Sequence, residues 1–288
     1  MFKFPAKLPA EKSQGEWKSH GLALAELVIL ALSWFALALR WFLTLTVATG
    51  CLYQVVASPP LHLMGFPVKP AAGESSIYVP GSGFSGVWFH LGFLQALPSV
   101  HDHDFYCYSS GCLSVLMAFM NTTLQDATDA AHSIQTSWMA GHLSRYDLVD
   151  RFIDNLLVDG VSIEHLLDRL HVLVTTTKNG VAVEKAADAT QLKELLLKTT
   201  FIPFITGRGL GYADADDRFL DGGFSRMLHP KCNIELWIPL TLWDITQHTL
   251  NPALDRDKVE GFWLTGQRYR EVIVNENDAS FNRWSFGR

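Results

Sequence analysis

Two short apolar segments, each followed by a tight turn and an apolar helical run, constrain the fold of this chain most strongly. The first segment, 77–80, leads through a glycine-rich turn into a predicted helix over 87–97. The second, 104–108, leads through a Ser-Ser-Gly turn into a predicted helix over 112–120. Strand, turn and helix repeated in this order are typical of βαβ units, whose sheet is covered on both faces. The sequence therefore predicts an α/β fold with a central, mostly parallel sheet.

Weaker patterns predict the elements that follow. Residues 123–170 are amphipathic and are predicted to be helical. Segments 171–177 and 181–184 flank Lys-Asn-Gly and predict a β-hairpin. A further helix is predicted over 190–199 and a late strand over 234–240.

Composition excludes some classes of function. The net charge of −6 argues against nucleic acid as the main partner, because phosphate backbones require clustered Lys and Arg. The four cysteines have no spacing suited to zinc, and no metal site is predicted. They are interpreted as small buried residues of a reduced protein.

A long apolar stretch near the N-terminus predicts a membrane anchor. Residues 27–49 carry a single charge, Arg40, and are long enough to cross a bilayer core of about 30 Å. A membrane-buried hairpin broken near Arg40 is the alternative. Four lysines precede the stretch and favour a cytoplasmic N-terminus: Lys3, Lys7, Lys12 and Lys18. A single span would place the remaining chain across the membrane, a hairpin would keep it in the cytosol, and the sequence leaves both open.

The predicted organisation has four parts. A polar tail over 1–20 is followed by the anchor over 21–57, a Pro- and Gly-rich linker over 58–75, and the α/β domain over 76–288. The sequon at Asn121 would be glycosylated only in a lumenal domain. Because it falls within a predicted helix, it is interpreted as a chance match.

The glycine-rich turn has two possible ligands. Gly81, Gly83 and Gly86 fit the Gly-x-Gly-x-x-Gly spacing of dinucleotide-binding proteins, with Asp102 and Asp104 about 20 residues further on. A nicotinamide-dependent oxidoreductase is therefore one hypothesis. Alternatively, the backbone N–H groups of the turn hold an oxyanion that forms during a reaction.

The Ser-Ser-Gly turn predicts a nucleophile. A serine in a sharp strand-to-helix turn has its hydroxyl exposed above the sheet, and small residues two positions away let strand and helix pass closely. Around Ser109 those positions are Cys107 and Gly111. Ser110 is the rival nucleophile, but Tyr108 would then occupy a small-residue position. We therefore favour Ser109.

A later Asp-Gly-Gly supplies a candidate base. Asp221 follows an apolar pair, and the glycines after it allow a tight turn that points the carboxylate into a cleft. A carboxylate that has lost part of its hydration can accept the serine proton. His229 or His248 could instead complete a Ser–Asp–His triad.

Taken together, these motifs resemble the patatin-like phospholipase family. The family has a Gly-Gly-Gly-x-Arg/Lys-Gly loop, a Gly-x-Ser-x-Gly nucleophile and an Asp-Gly-Gly/Ala aspartate in that order. This chain has Gly-Ser-Gly-Phe-Ser-Gly over 81–86, Cys-Tyr-Ser-Ser-Gly over 107–111 and Asp-Gly-Gly over 221–223. The resemblance covers about 75–240.

The resemblance implies a three-layer α/β/α patatin-like sandwich, which in this chain follows the N-terminal transmembrane helix predicted from the apolar stretch. It implies a lipid acyl hydrolase with a Ser109–Asp221 dyad and no cofactor or metal, acting on glycerolipid esters at a membrane or lipid-droplet surface. The remaining motif positions are the oxyanion residues Gly81, Ser82 and Gly83, and the supporting glycines Gly86, Gly111, Gly222 and Gly223.

Three motif positions depart from the family pattern: Ser82, Ser85 and Cys107. They keep open a catalytically inactive lipid-binding or regulatory protein. Two acidic segments, 101–104 and 214–217, invite a metal interpretation. The first is interpreted as a polar strand entry. The second lacks EF-hand spacing and is interpreted as an exposed loop.

Overall fold

The computed structural model describes residues 75–157, 163–214, 217–238 and 242–276, all within one compact unit. The strands of this part are β1 (Ser76–Val79), β2 (Asp104–Cys107), β3 (Leu170–Thr176), β4 (Gly180–Glu184), β5 (Tyr212–Asp214), β6 (Asp217–Asp221) and β7 (Ile234–Glu235). Its α-helices are α1 (Gly83–Gln95), α2 (Ser110–Phe119), α3 (Leu124–Met139), α4 (Leu148–Leu156), α5 (Glu164–Arg169), α6 (Ala189–Thr199), α7 (Trp243–Gln247) and α8 (Arg256–Glu276).

The predicted tail, the predicted anchor and all of the predicted linker except Ser75 lie outside the described residues. Within the described ranges, no helix combines the length and apolar character needed to cross a bilayer.

The strands form one mixed sheet with a parallel centre. β1 pairs in parallel with β2 and β7, and β2 pairs in parallel with β3. β3 also forms the predicted hairpin with β4 and pairs antiparallel with β6, which pairs with β5. The predicted α/β class is confirmed.

Alternate residues of the central strands enter two different apolar clusters, because successive side chains of a strand point to opposite faces. Ile77, Phe105 and Val172 belong to the main core, which also contains much of α1 and α2. Tyr78 and Tyr106 belong to a smaller cluster on the other face, with Cys232 and the partly buried Trp237. Both faces of the sheet are therefore covered.

Several predicted boundaries were wrong. Segment 123–170 is broken into α3, α4 and α5, and the late strand is limited to Ile234–Glu235. The sequence did not predict β5 and β6, whose ends pair Asp214 with Asp217; residues 215 and 216 of the segment interpreted as an exposed loop lie outside the described residues. The first helix starts at Gly83, not Val87, so four of the six residues of the glycine motif, 83–86, belong to its first turn.

The C-terminal helix α8 holds the glycine-motif helix in place. α1 packs against α8 and α2. A Cβ on Gly266 of α8 would lie 1.9 Å from the Phe89 carbonyl oxygen, and one on Gly92 of α1 would lie 2.0 Å from that of Trp263. The absence of side chains at these glycines lets the two backbones approach closely.

Candidate active site

Ser109 lies in a strained turn between β2 and α2. Its φ is +52° and its ψ is −138°, a conformation that residues other than glycine rarely adopt. Strain of this kind is concentrated at functional sites, and the nucleophile of a Gly-x-Ser-x-Gly turn lies in such a strand-to-helix corner. The corner therefore has the backbone geometry that the sequence predicted for a nucleophile.

Neighbouring backbone leaves no room for a side chain after the turn. A Cβ on Gly111 would lie 2.3 Å from the Val79 carbonyl oxygen. The glycine therefore lets β1 pass directly beside the start of α2.

A disulfide joins the two sides of the turn. Cys107 at the end of β2 is bonded to Cys112 in the first turn of α2, with their Cα atoms 5.1 Å apart. The interpretation of these cysteines as reduced was therefore wrong. The same sharp corner brings Cys107, which precedes it, close to Cys112, which follows it. Cys232 is free and buried.

The sheet register brings Asp221 beside the serine turn. Strand β4 occupies one edge of β3 along Val172–Thr176, so β2 and β6 share the other edge. There β2 runs parallel and ends with Cys107 opposite Val172, while β6 runs antiparallel and ends with Asp221 opposite Val174. The two strand ends point towards each other with one residue of β3 between them.

Glycine is required directly after the aspartate. A Cβ on Gly222 would lie 2.3 Å from the Leu173 carbonyl oxygen and 2.5 Å from the Tyr108 Cβ. The chain can therefore turn away from the sheet immediately after Asp221.

The Asp221 carboxyl group is buried and incompletely bonded. Its Oδ1 accepts a hydrogen bond from the Gly223 N–H at 2.8 Å, whereas Oδ2 has no hydrogen-bond partner. Burial raises the pKa of Asp221 from 3.8 to about 7, and the adjacent Ser109 hydroxyl and Gly223 N–H partly oppose that rise. The serine is thus close enough to affect the carboxyl group, although the hydrogen bond between them is not formed. Such bonds are often long in a free enzyme and tighten when substrate binds.

One threonine holds the strained serine against the sheet. The Ser109 N–H donates to Thr199 Oγ1 at 3.0 Å, and the Thr199 hydroxyl donates to the Leu173 carbonyl oxygen at 2.6 Å. Two residues later, the Phe201 carbonyl oxygen accepts the Asp221 N–H at 2.8 Å. The end of α6 and the residues after it therefore connect the nucleophile turn to the aspartate. Sequence reasoning missed Thr199, because nothing near it in the chain signals this contact.

The glycine loop lies directly over the nucleophile. A Cβ on Gly81 would lie 2.6 Å from the Ser109 Cβ, and one on Gly83 would lie 2.1 Å from the Thr249 carbonyl oxygen. A Cβ on Gly86 would lie 2.1 Å from the Ser82 Cβ, so the absence of a side chain at Gly86 leaves space for Ser82. The glycines therefore let the loop backbone pack directly against Ser109 and Thr249, where side chains would not fit.

Ser110 supports the glycine loop. Its Oγ accepts a hydrogen bond from the Ser82 N–H at 3.0 Å, so one predicted oxyanion donor is engaged in this structure. Ser85, which stands where the family pattern has Arg or Lys, donates to the Ile245 carbonyl oxygen at 2.7 Å.

Neither candidate histidine completes a triad in the described contacts. His229 lies 2.7 Å from the Tyr78 hydroxyl through Nδ1, and burial lowers its pKa to about 3. His248 accepts a hydrogen bond from the Lys258 ammonium group. Neither ring bonds to Ser109 or Asp221 among these contacts, which leaves the aspartate as the candidate base.

The side chains of 101–104 have separate partners. His101 contacts the Phe119 ring edge-on, His103 lies 2.9 Å from Ser75 Oγ, and Asp104 pairs with Arg169 at 3.2 Å. Among the described residues, no group of three or more potential ligands could hold a metal ion.

An apolar cavity opens beside the two serines. The lining includes Ser109, Ser110 and, among its apolar residues, Phe84, Trp88, Leu113, Val149, Phe152 and Ile205. Trp138 also lines the cavity. Phe89 and Phe93 are buried in the core, and Trp237 lies under the Arg226 guanidinium. A mostly apolar cavity beside a serine hydroxyl suits a long hydrocarbon chain whose ester group lies at that serine.

Comparison of the chain with protein-family models, with curated proteins and with solved structures finds no match.

Proposed function

We propose that this chain is a membrane-associated serine lipid acyl hydrolase with the three-layer patatin-like architecture, cleaving carboxylic esters of glycerolipids. The observation that carries the proposal is the convergence of β2 and β6 on one edge of β3, with Ser109 two residues after β2 and Asp221 at the end of β6. The strained serine conformation and the apolar cavity beside it support the same chemistry.

The reaction begins with proton transfer. The ionised Asp221 accepts the Ser109 hydroxyl proton as Oγ forms a bond to the ester carbonyl carbon. A carboxylate with a pKa of about 7 is a stronger base than an ordinary aspartate, and about half of it is ionised at pH 7. By raising the pKa of Asp221, burial therefore makes its carboxylate a stronger general base.

The intermediate carries a negative oxygen, which the backbone N–H groups at Gly81, Ser82 and Gly83 would stabilise. Since the Ser82 N–H bonds to Ser110 in the free protein, this amide exchanges partners when the oxyanion forms. The ester C–O bond then breaks, and the leaving alcohol takes the proton from Asp221. Water attacks the acyl-serine by the same route and releases the fatty acid.

A catalytically inactive lipid-binding protein is the second candidate. Two observations favour it: Asp221 Oδ2 is not bonded to Ser109, and the Ser82 amide is already engaged. In this alternative the cavity would hold an acyl chain without cleaving it.

Labelling with a fluorophosphonate, which bonds covalently to activated serine hydroxyls, tests the proposal. The wild type should be labelled, Ser109→Ala should not, and Asp221→Asn should be labelled far more slowly. Ser99→Ala, at an exposed turn, is the control and should match the wild type. Absence of labelling in folded wild-type protein would favour the inactive candidate.

A further inference from the structure

Asn121 lies in an exposed surface turn. Helix α2 ends at Phe119 and α3 starts at Leu124, so the predicted helical position of this asparagine was wrong. Asn121 has a φ of +51°, which asparagine tolerates better than most residues. It begins Asn121-Thr122-Thr123, the only Asn-x-Ser/Thr sequence in the chain. The reason for interpreting this sequon as a chance match is therefore removed.

The disulfide independently indicates the compartment in which Asn121 would be glycosylated. Persistent disulfides are typical of secreted and lumenal proteins, whereas cytosolic thiols are kept reduced. Cys107 and Cys112 are bonded in a buried part of the core. N-linked glycosylation takes place in the same oxidising compartment.

A glycan on Asn121 would leave the candidate active site accessible. Ser109 immediately precedes α2, and Asn121 follows its other end. The ten residues of this helix span about 15 Å. The Thr122 carbonyl oxygen accepts a hydrogen bond from Gln95 Nε2 at 2.7 Å, and Thr123 caps α3 by accepting the Asp126 N–H at 3.0 Å. The turn is thus ordered by its neighbours while the asparagine faces solvent.

We infer that Asn121 carries an N-linked oligosaccharide and that the described domain faces an oxidising lumen. The Asn121 amide nitrogen bonds to the anomeric carbon of a lipid-linked oligosaccharide diphosphate. The lipid diphosphate leaves, and the nitrogen releases one proton. This assignment selects the single-span topology, with the N-terminal lysines on the cytoplasmic side. It goes beyond the proposed hydrolase activity and does not depend on it.

Translation of the full chain with endoplasmic-reticulum microsomes tests the glycan. Wild-type protein should gain mobility on digestion with peptide N-glycosidase. Asn121→Gln and Thr123→Ala should run with the digested wild type and be unaffected by the enzyme. Thr123→Ser and Thr122→Ala, which preserve the acceptor sequence, should retain the shift. Wild-type mobility that the glycosidase leaves unchanged overturns the inference.

Thiol counting tests the compartment separately. The protein is denatured and treated with a maleimide-linked polyethylene glycol, with or without prior reduction. Two more cysteines should react after reduction than before, and Cys107→Ser/Cys112→Ser should remove that difference. An equal number before and after reduction in the wild type overturns the oxidising location. Since neither assay measures catalysis, failure of either is distinguishable from failure of the proposed function.

Discussion

Replacing Asp221 by asparagine should stabilise the protein at alkaline pH while it removes the candidate base. The carboxyl group is buried, and no positively charged side chain contributes to its pKa shift from 3.8 to about 7. Between these values the native state retains a proton that the unfolded chain has released. The free energy of unfolding of the wild type therefore falls as pH rises from about 4 to about 7, and this contribution is constant above that range.

The size of the effect follows from the pKa difference. About three pH units at 1.36 kcal/mol each correspond to about 4 kcal/mol. The substituted asparagine would carry no charge, and its amide oxygen can still accept the Gly223 N–H that bonds Oδ1. Its NH₂ group would replace Oδ2 and could donate to the adjacent Ser109 hydroxyl oxygen. We therefore expect Asp221→Asn to gain up to about 4 kcal/mol over the wild type at pH 8 and little at pH 4.

Urea unfolding followed by tryptophan fluorescence measures this difference at each pH. His90 and His229, whose pKa values burial lowers to about 4 and about 3, are common to both proteins and cancel in the comparison. Asp244→Asn, at an exposed carboxylate, is the control and should show no such gain. A difference between wild type and Asp221→Asn that does not change with pH would refute the reasoning.

The same carboxyl group should set the pH dependence of serine reactivity. At pH 5, about two units below the pKa of Asp221, roughly 1% of the group is ionised. Fluorophosphonate labelling of the wild type should therefore be about 100-fold slower at pH 5 than on its plateau above pH 8. A labelling rate that is flat from pH 5 to pH 8 would exclude Asp221 as the base.

Three further changes test the surroundings of the site. Thr199→Val removes the acceptor of the Ser109 N–H, and it should lower stability by about 1–3 kcal/mol and slow labelling. Thr199→Ser should restore both. An unaffected labelling rate would refute a positioning role. Cys107→Ser/Cys112→Ser should lower the unfolding free energy by about 2 kcal/mol, since the disulfide closes a loop of about six residues; an unchanged urea midpoint would contradict this. Ala131→Phe, in the cavity lining, should reduce hydrolysis of long-chain p-nitrophenyl esters more than that of the acetate; equal losses would argue against an acyl site.

Much of the local structure near Ser109 is predictable from the sequence. An apolar run of four residues forms a buried strand because each side chain packs on one face of the sheet or the other. Tight turns with glycine, followed by apolar helical runs, then predict the strand-to-helix corners. These signals depend on neighbours within a few residues, so the turn at Ser109 and the hairpin of β3 and β4 were found without tertiary information.

Other features of the site depend on residues that are distant in the chain. The N–H of Ser109 bonds to Thr199, and the N–H of Asp221 bonds to Phe201. The structure also corrected the helix boundary that had made Asn121 an improbable acceptor. In the same way, the cysteine spacing did not reveal the disulfide, because bonding requires the corner to bring the two sulfur atoms together.

Residue pattern alone was enough to predict an α/β chain, a serine at a strand-to-helix corner, and an aspartate in a turn with two glycines. That Ser109 and Asp221 are neighbours follows from the pairing of the strands in three dimensions. Local preferences define a strand and the turn after it, but not the edge against which that strand pairs. Here both strands pair with the same edge of β3. β2 and β6 run along it in opposite directions and end opposite Val172 and Val174.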